Sequence, residues 1–530
     1  MRRTVLSAAL AAAVLVSAWT TGALGATVRR APAPPLQWPA AASAAEVRTW
    51  LVGVRPGTPI PRAALRMGAV RAGPTTLAVA AGRARALGRL LARRGLLSYA
   101  EPDVRLRHAS VVEASPDAWA RGAVVGSTVP WPQPGAEIAI VDELVDATRP
   151  DLAGHVRYLN AGPGSQILGS HGTMVASAAA AAADGGGVLG VLPGAPIASY
   201  GTDLRCSDVA AGIDAAARQG IRVVNLSLGV ELPCFTLYLA TQRAFGLGTL
   251  VIAASGNEFA NGNPVIYPAA FPHVLSVSAT TPDSRSAYFS SANLAVDLAA
   301  PGVAVPVAVP PYFDTDDGVA DGFTTADGTS FSAPMVAGAA AWVLTARPQL
   351  SAGQLADVLR GSASDIAEKG WDPDTGWGLL HVAAALAAPE PPDDLGEPND
   401  EILLVDGTVF RGADTPVWSG RADRVLRAWV DAVKDPFDVY RVKLPGRSLS
   451  RFSLLPGYGN ANLQVFDRPA RSIVDGRSRV CRERHAGRAL DRCEIVWSGR
   501  GTRIVYVVVS GAMAGGETGA SYRLRFSRLR

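Results

Sequence analysis

A chain of 530 residues is too long for one hydrophobic core and implies several domains. With 48% hydrophobic and 18% charged residues, its composition is that of packed globular structure and excludes general disorder. A net charge of +4 over this length gives nucleic-acid binding no electrostatic basis.

Residues 1–25 read as an export signal: Arg2 and Arg3, an apolar run from Val5 to Ala18, and the small-residue site Ala23-Leu24-Gly25. That run is short for a membrane span, and no other stretch is long and apolar enough to cross a bilayer. The mature chain is therefore expected outside the cytoplasm, without a stable membrane span. Export makes Cys206, Cys234, Cys481 and Cys493 disulfide candidates. Three connectivities are open to four cysteines, and Cys206–Cys234 with Cys481–Cys493 is the expected pairing.

After an Ala/Pro-rich lead-in comes a small α+β unit. Thr49–Val54 reads as a strand, Leu77–Arg94 as an amphipathic helix and Leu96–Ala100 as a second strand. Its few large apolar groups make a marginal core on their own. Residues 108–135 read as loop. Apolar strands then alternate with helices: strands Glu137–Val141, Pro196–Tyr200, Val223–Leu228, Thr249–Ala254 and Val274–Ser278, and helices His171–Ala183, Val209–Gln219 and Leu237–Gly246. Continuous apolar strands in such alternation predict a parallel sheet covered on both faces, with ligands at the carboxyl ends of the strands. A Pro/acidic linker, 389–399, precedes a strand-rich region with strands at 437–444, 449–455, 462–466, 495–497, 502–510 and 522–526. That region is expected to be an all-β sandwich.

Polar residues interrupt the apolar strings at informative places. Asp142 ends the strand Ile138–Val141, His171 opens an Ala-rich helix in Gly-Ser-His-Gly-Thr, and Ser330 opens an apolar helix in Gly-Thr-Ser-Phe-Ser-Ala-Pro. Taken singly, these are the usual places for a turn former and for helix caps. Together, in the order Asp…His…Ser, they match one convergent form of the Ser-His-Asp triad. The order and the Gly-Thr-Ser-Phe-Ser context do not fit an α/β-hydrolase, which places its serine in G-x-S-x-G.

Residues 48–388 resemble the subtilisin-like serine proteases, the subtilases. The resemblance rests on Val141-Asp142 with Pro150-Asp151-Leu152, His171-Gly172-Thr173 with Val175-Ala176, Asn225–Gly229, Ala254–Asn257, Tyr267-Pro268-Ala269 and Gly328–Pro334. It implies a three-layer α/β catalytic domain at 121–388 that hydrolyses peptide bonds through an acyl-enzyme. In that scheme Ser330 is the nucleophile, His171 the base and Asp142 its partner, and Asn257 lines the oxyanion hole. Ser227, Leu228, Gly229, Ala254, Ser255 and Gly256 would bind substrate. Nothing bulky or charged stands in those segments, so an open pocket for apolar or medium-sized side chains is expected. Residues 26–120, with a folded part at about 48–107, resemble a propeptide that acts as intramolecular chaperone and inhibitor until the zymogen processes itself. Gly396–Asp400 and Asp435–Arg441 resemble a prepeptidase-type C-terminal sandwich, here 400–530. The chemistry requires no cofactor. Calcium is conceivable at the acidic loop Asp314, Asp316, Asp317 and Asp321. One departure stands out: after the triad Asp the family usually has Ser or Thr and then Gly, whereas here Glu143 and Leu144 follow. That departure is the basis of the competing reading, a catalytically impaired binding or adhesion protein on the same scaffold.

Overall fold

The computed structural model describes residues 48–530 except 55–58, 109–110, 113–118, 126–129, 133, 163–164, 185–186, 315–318, 395, 486–488 and 513–518. The export signal and the lead-in lie outside the described residues. Two compact units emerge: Asp103–Asp393, and a second made of the segments before Asp103 and from Asp394 to Arg530.

In the N-terminal segment, β1 (Thr49–Val54), α1 (Arg62–Arg66), β2 (Val70–Gly73), β3 (Thr76–Ala80), α2 (Ala81–Arg93) and β4 (Leu97–Pro102) form an antiparallel sheet, order β2-β3-β1-β4, backed by α2. The expected helix from Leu77 begins only at Ala81, because Leu77 is paired with Val52 in the sheet. Leu87 and Leu91 form the buried stripe of α2 over Trp50, Val52 and Leu77.

The unit Asp103–Asp393 opens with two short strands, β5 (Arg107–His108) and β6 (Val111–Val112), and helix α3 (Trp119–Val125). This stretch was expected to be loop. Its single short helix interrupted by Gly122 carries little periodic signal, but Ala120, Val124 and Val125 are core residues. Then follow β7 (Ile138–Asp142), β8 (Val156–Tyr158), α4 (His171–Ala180), β9 (Ile197–Gly201), α5 (Cys206–Arg218), β10 (Val223–Leu226), β11 (Leu228–Gly229), α6 (Phe235–Gly246), β12 (Leu250–Ala254), β13 (Val274–Thr280) and β14 (Leu298–Pro301). The remaining elements are β15 (Val305–Ala308), β16 (Phe323–Asp327), α7 (Thr329–Ala346), α8 (Ala352–Gly361) and α9 (Val382–Ala387). Seven strands build an all-parallel sheet, order β14-β13-β12-β10-β7-β9-β8. Its central strands are buried along their whole length, which accounts for their unbroken apolar runs. Chain direction across the sheet reverses between β7 and β10, so their carboxyl ends frame the crevice where such sheets bind ligands. Helix α7 is the one helix among the described residues long and apolar enough to cross a membrane, yet it is buried from Thr329 to Leu344, packed on β10, β12, β13 and β14. It is the central core helix.

The expected Cys206–Cys234 disulfide is absent. Cys206 opens α5, Cys234 precedes α6, and both are buried thiols. Tight apolar packing, where unmodified cysteine is common, accounts for their burial. Cys481–Cys493 does form.

From Asp394, α10 (Ile402–Val405) leads into β17 (Arg424–Asp431), β18 (Phe437–Leu444), β19 (Ser448–Tyr458), β20 (Asn460–Asp467), β21 (Arg479–Glu483), β22 (Asp491–Trp497), β23 (Arg503–Ala512) and β24 (Gly519–Arg528). They form two antiparallel sheets, β17-β24-β19-β22 and β18-β23-β20-β21, over one core that includes Phe452, Phe526, Val442 and Val507. The disulfide joins β21 of one sheet to β22 of the other. Asn399 ties the segment after the linker to β18: its side chain donates to Asp438 at 2.8 Å and accepts from the Val439 N–H at 2.6 Å. Close by, Glu401 is buried, accepting from Ser472 Oγ at 2.7 Å and from the N–H groups of Ile402 and Ile473 at 2.8 Å.

Burial pushes the Glu401 carboxyl up to about 7 from an ordinary 4.5. Between those values the folded chain holds a proton that the unfolded chain has released, so stability falls as pH rises through the window and levels off above it. At about 1.4 kcal/mol per unit, the loss is of order 3 kcal/mol. Urea melts of the protein at pH 5 and pH 8 should show the C-terminal transition weaker at pH 8, and Glu401→Gln should shrink the difference.

Candidate active site

Strand β7 delivers Asp142 to the carboxyl edge of the sheet, where its side chain has no solvent exposure. Asp142 Oδ1 accepts from His171 Nδ1 at 2.8 Å and from the Glu143 N–H at 2.7 Å. A carboxylate at Nδ1 selects the tautomer whose basic nitrogen is Nε2. His171 is the first residue of α4, and its ring lies 5.9 Å, centroid to centroid, from that of Phe331, the neighbour of Ser330. Asp142, His171 and the Ser330 segment thus come together from three elements that are far apart in sequence.

Ser330 stands in the first turn of α7. Four residues on, Pro334 has no N–H to give the Ser330 carbonyl, so that carbonyl is released from the helix ladder. It accepts instead from Ser227 Oγ at 2.6 Å, while the Ser330 hydroxyl donates to the Ser227 carbonyl at 3.0 Å. Ser227 Oγ is held in turn by Asn225 Nδ2 at 2.9 Å. These reciprocal bonds fix the expected cleft strand against the expected nucleophile. Gly328 enters the helix at φ 141°, a conformation L side chains rarely adopt.

Helix α7 has no side-chain cap of its own. Asn257, in the turn after β12, supplies one: its Oδ1 accepts from the Thr329 N–H at 3.0 Å and from Thr329 Oγ1 at 2.9 Å. With the carbonyl end so held, Asn257 Nδ2 points away from Thr329, buried and without a hydrogen-bond partner among the described residues. Leaving a buried donor unpaired costs roughly 1–3 kcal/mol. Thr329 was not singled out from the sequence; its place beside Ser330 in Gly-Thr-Ser was the available signal. The expected second cleft segment leads into this turn. Ala254 ends β12, the Ser255 N–H donates to Val277 O at 2.9 Å, and the Gly256 N–H donates to Thr329 Oγ1 at 3.2 Å.

The first cleft segment carries part of the same chain. Leu228 and Gly229, as β11, pair antiparallel with His108 and Arg107 of β5. Upstream, the Leu106 N–H donates to Leu204 O at 2.6 Å, and Asp103 accepts from the Ser207 N–H at 3.1 Å and Oγ at 2.7 Å. Downstream, Val111 and Val112 pair with Asp327 and Ala326, directly ahead of Ser330. Strands β5 and β6 thus pair with two different elements of the unit, β11 and β16. These pairings rest on the two-residue strands β5, β6 and β11, which had no signature in the sequence.

In the acidic loop before Ser330, Asp314 accepts from the Gly322 N–H at 2.5 Å and Asp321 from the Phe323 N–H at 3.0 Å, both as turn formers. Asp316 and Asp317 lie outside the described residues. A different carboxylate stands out. Asp151 is 1% exposed and forms a buried ion pair with Arg149 at 3.7 Å. Burial raises its pKa, as does Asp184, while the backbone N–H groups of Asp151 and Val188 and the Arg149 charge oppose the rise.

The subtilase family (peptidase S8) model matches residues 133–378. Fervidolysin of Fervidobacterium pennivorans is 35% identical over 350 residues, 59% of this chain and 48% of its own length, so the chain spans about half of that relative. Subtilisin BL and subtilisin Savinase of Lederbergia lenta are each 34% identical over 47% of this chain and 90% of their own length. The crystal structure of fervidolysin, described as a keratinolytic enzyme related to subtilisin, aligns with a TM-score of 0.59 at 19% identity, over 90% of this chain and 92% of that one, and supports the fold. With nine-tenths of two subtilisins matched at this identity, the chain belongs to the subtilase family and is a subtilisin-like serine endopeptidase.

Proposed function

We propose that the chain is a secreted zymogen whose mature form cleaves peptide bonds through Asp142, His171 and Ser330. Ser330 Oγ attacks the scissile carbonyl as His171 Nε2 takes its proton. His171 then protonates the leaving amine, and water hydrolyses the acyl-enzyme by the same route. Asp142, bonded to His171 Nδ1, keeps the ring in the required tautomer and stabilises the imidazolium. The partnerless Asn257 Nδ2 is the observation that carries this reading: with the Ser330 N–H it would meet the negative oxygen of the tetrahedral state. Substrate adds a strand to β11, so its affinity comes chiefly from main-chain hydrogen bonds. Chromogenic peptide hydrolysis should vanish in Ser330→Ala, and Asn257→Ala should lower kcat roughly 100- to 1000-fold with a smaller change in KM. Full activity in either variant would refute the assignment.

The tail 103–112 supports self-processing as the route to the active form. The segment up to His108 pairs with β11 and the segment from Val111 pairs with β16, which favours a cut between these two residues. Mass spectrometry of the secreted wild type should find a new N-terminus at residue 109, 110 or 111. In Ser330→Ala the chain should stay joined across that stretch; a cut in the same place would assign processing to another protease.

A further inference from the structure

The geometry points to Glu143, the residue that departs from the family pattern, as a positioning residue for the catalytic histidine. This inference rests on the triad reading above. The helix that carries His171, α4, opens on Ser170, the residue type that most often caps its own helix. Here Ser170 makes no side-chain cap. The vacant role is filled from the end of β7: Glu143 Oε2 accepts from the His171 N–H at 2.9 Å. The Glu143 N–H in turn donates to Asp142 Oδ1 at 2.7 Å, the oxygen that also holds His171 Nδ1 at 2.8 Å. One residue thus grips the histidine backbone with its side chain and the partner carboxylate with its backbone.

The surroundings are shaped for this reach. A Cβ on Gly169 would stand 2.0 Å from Glu143 Oε2, and one on Gly172 would stand 1.9 Å from the Glu143 carbonyl oxygen. Glycine on both sides of Ser170-His171 is what admits residue 143. A second tie, Thr173 Oγ1 accepting from the Asp146 N–H at 2.9 Å, holds the following turn to the same helix. A carboxylate at a helix N-terminus is also favoured by the helix dipole. Asn257 does the same for the Ser330 helix, bonding the N–H of Thr329 from a neighbouring strand end. Both helices that present reacting groups are capped from outside their own sequence. Glu143 acts through His171 and touches no reacting atom.

A hydrogen-bond role and a charge role separate by substitution. Glu143→Gln keeps an acceptor for the His171 N–H, and Glu143→Ala removes it. With the processed protein and an apolar peptide anilide, Glu143→Ala should lower kcat about 10- to 100-fold with KM within about twofold, the scale of a misplaced catalytic group. Glu143→Gln should hold kcat within about threefold of wild type under the same conditions. Wild-type kcat in Glu143→Ala, a Gln variant as impaired as the Ala variant, or a loss confined to KM would each overturn the assignment. Thermal melts of both variants confirm that folded protein is compared. Ser330→Ala, assayed alongside, tests the nucleophile independently: residual hydrolysis there defeats the triad reading, whatever residue 143 does.

Discussion

Two helix N-termini carry His171 and Ser330, the proposed reacting groups, and neither is closed by its own preceding residue. At α7 the first N–H goes to Asn257, and at α4 it goes to Glu143. A helix end left open would fray and take its side chain with it. Capping from a neighbouring strand end ties each helix to the parallel sheet, the most deeply buried part of this unit. The sheet is thus the reference frame for the proposed chemistry, and the positions of His171 and Ser330 follow from the register of β7 and β12. For Asn257 the cap has a second effect: holding the amide oxygen determines where the amide nitrogen points.

Proline contributes to the same frame by omission. Pro334 costs α7 one rung of its ladder, and the freed Ser330 carbonyl becomes the anchor for Ser227. The Ser227 segment and the Ser330 helix are therefore joined through two hydroxyls and two carbonyls, with no charged group involved. Such joints hold geometry across a wide pH range, since none of their members titrates near neutrality.

What could be read from the sequence follows from how each feature is buried. Strands β7, β10, β12 and β13 are covered on both faces, so their apolar runs were plain, and the polar residues ending them stood out. Asp142, His171 and Ser330 were singled out in this way. Sandwich strands β17 and β21 were missed because they are edge strands, Arg424-Val-Leu-Arg and Arg479-Val-Cys-Arg, whose charges hide the alternation while blocking edge-to-edge pairing. The Cys206–Cys234 expectation rested on shared domain membership, which does not fix the bond geometry that a disulfide needs. Glu143 was visible as a departure from pattern, but its partner is a backbone N–H 28 residues away, and no spacing rule encodes that.

The pairing of β5 with β11 has a consequence in mass action. While the chain is continuous, residues 107 and 108 face the crevice at the effective concentration of a tethered segment, in the millimolar range for a short linker. A competing peptide at ordinary concentration cannot displace them. If the chain is cut as proposed, the same hydrogen bonds hold a separate molecule, and occupancy falls to whatever its bulk concentration sustains. On that reading, dilution by itself would favour an open cleft.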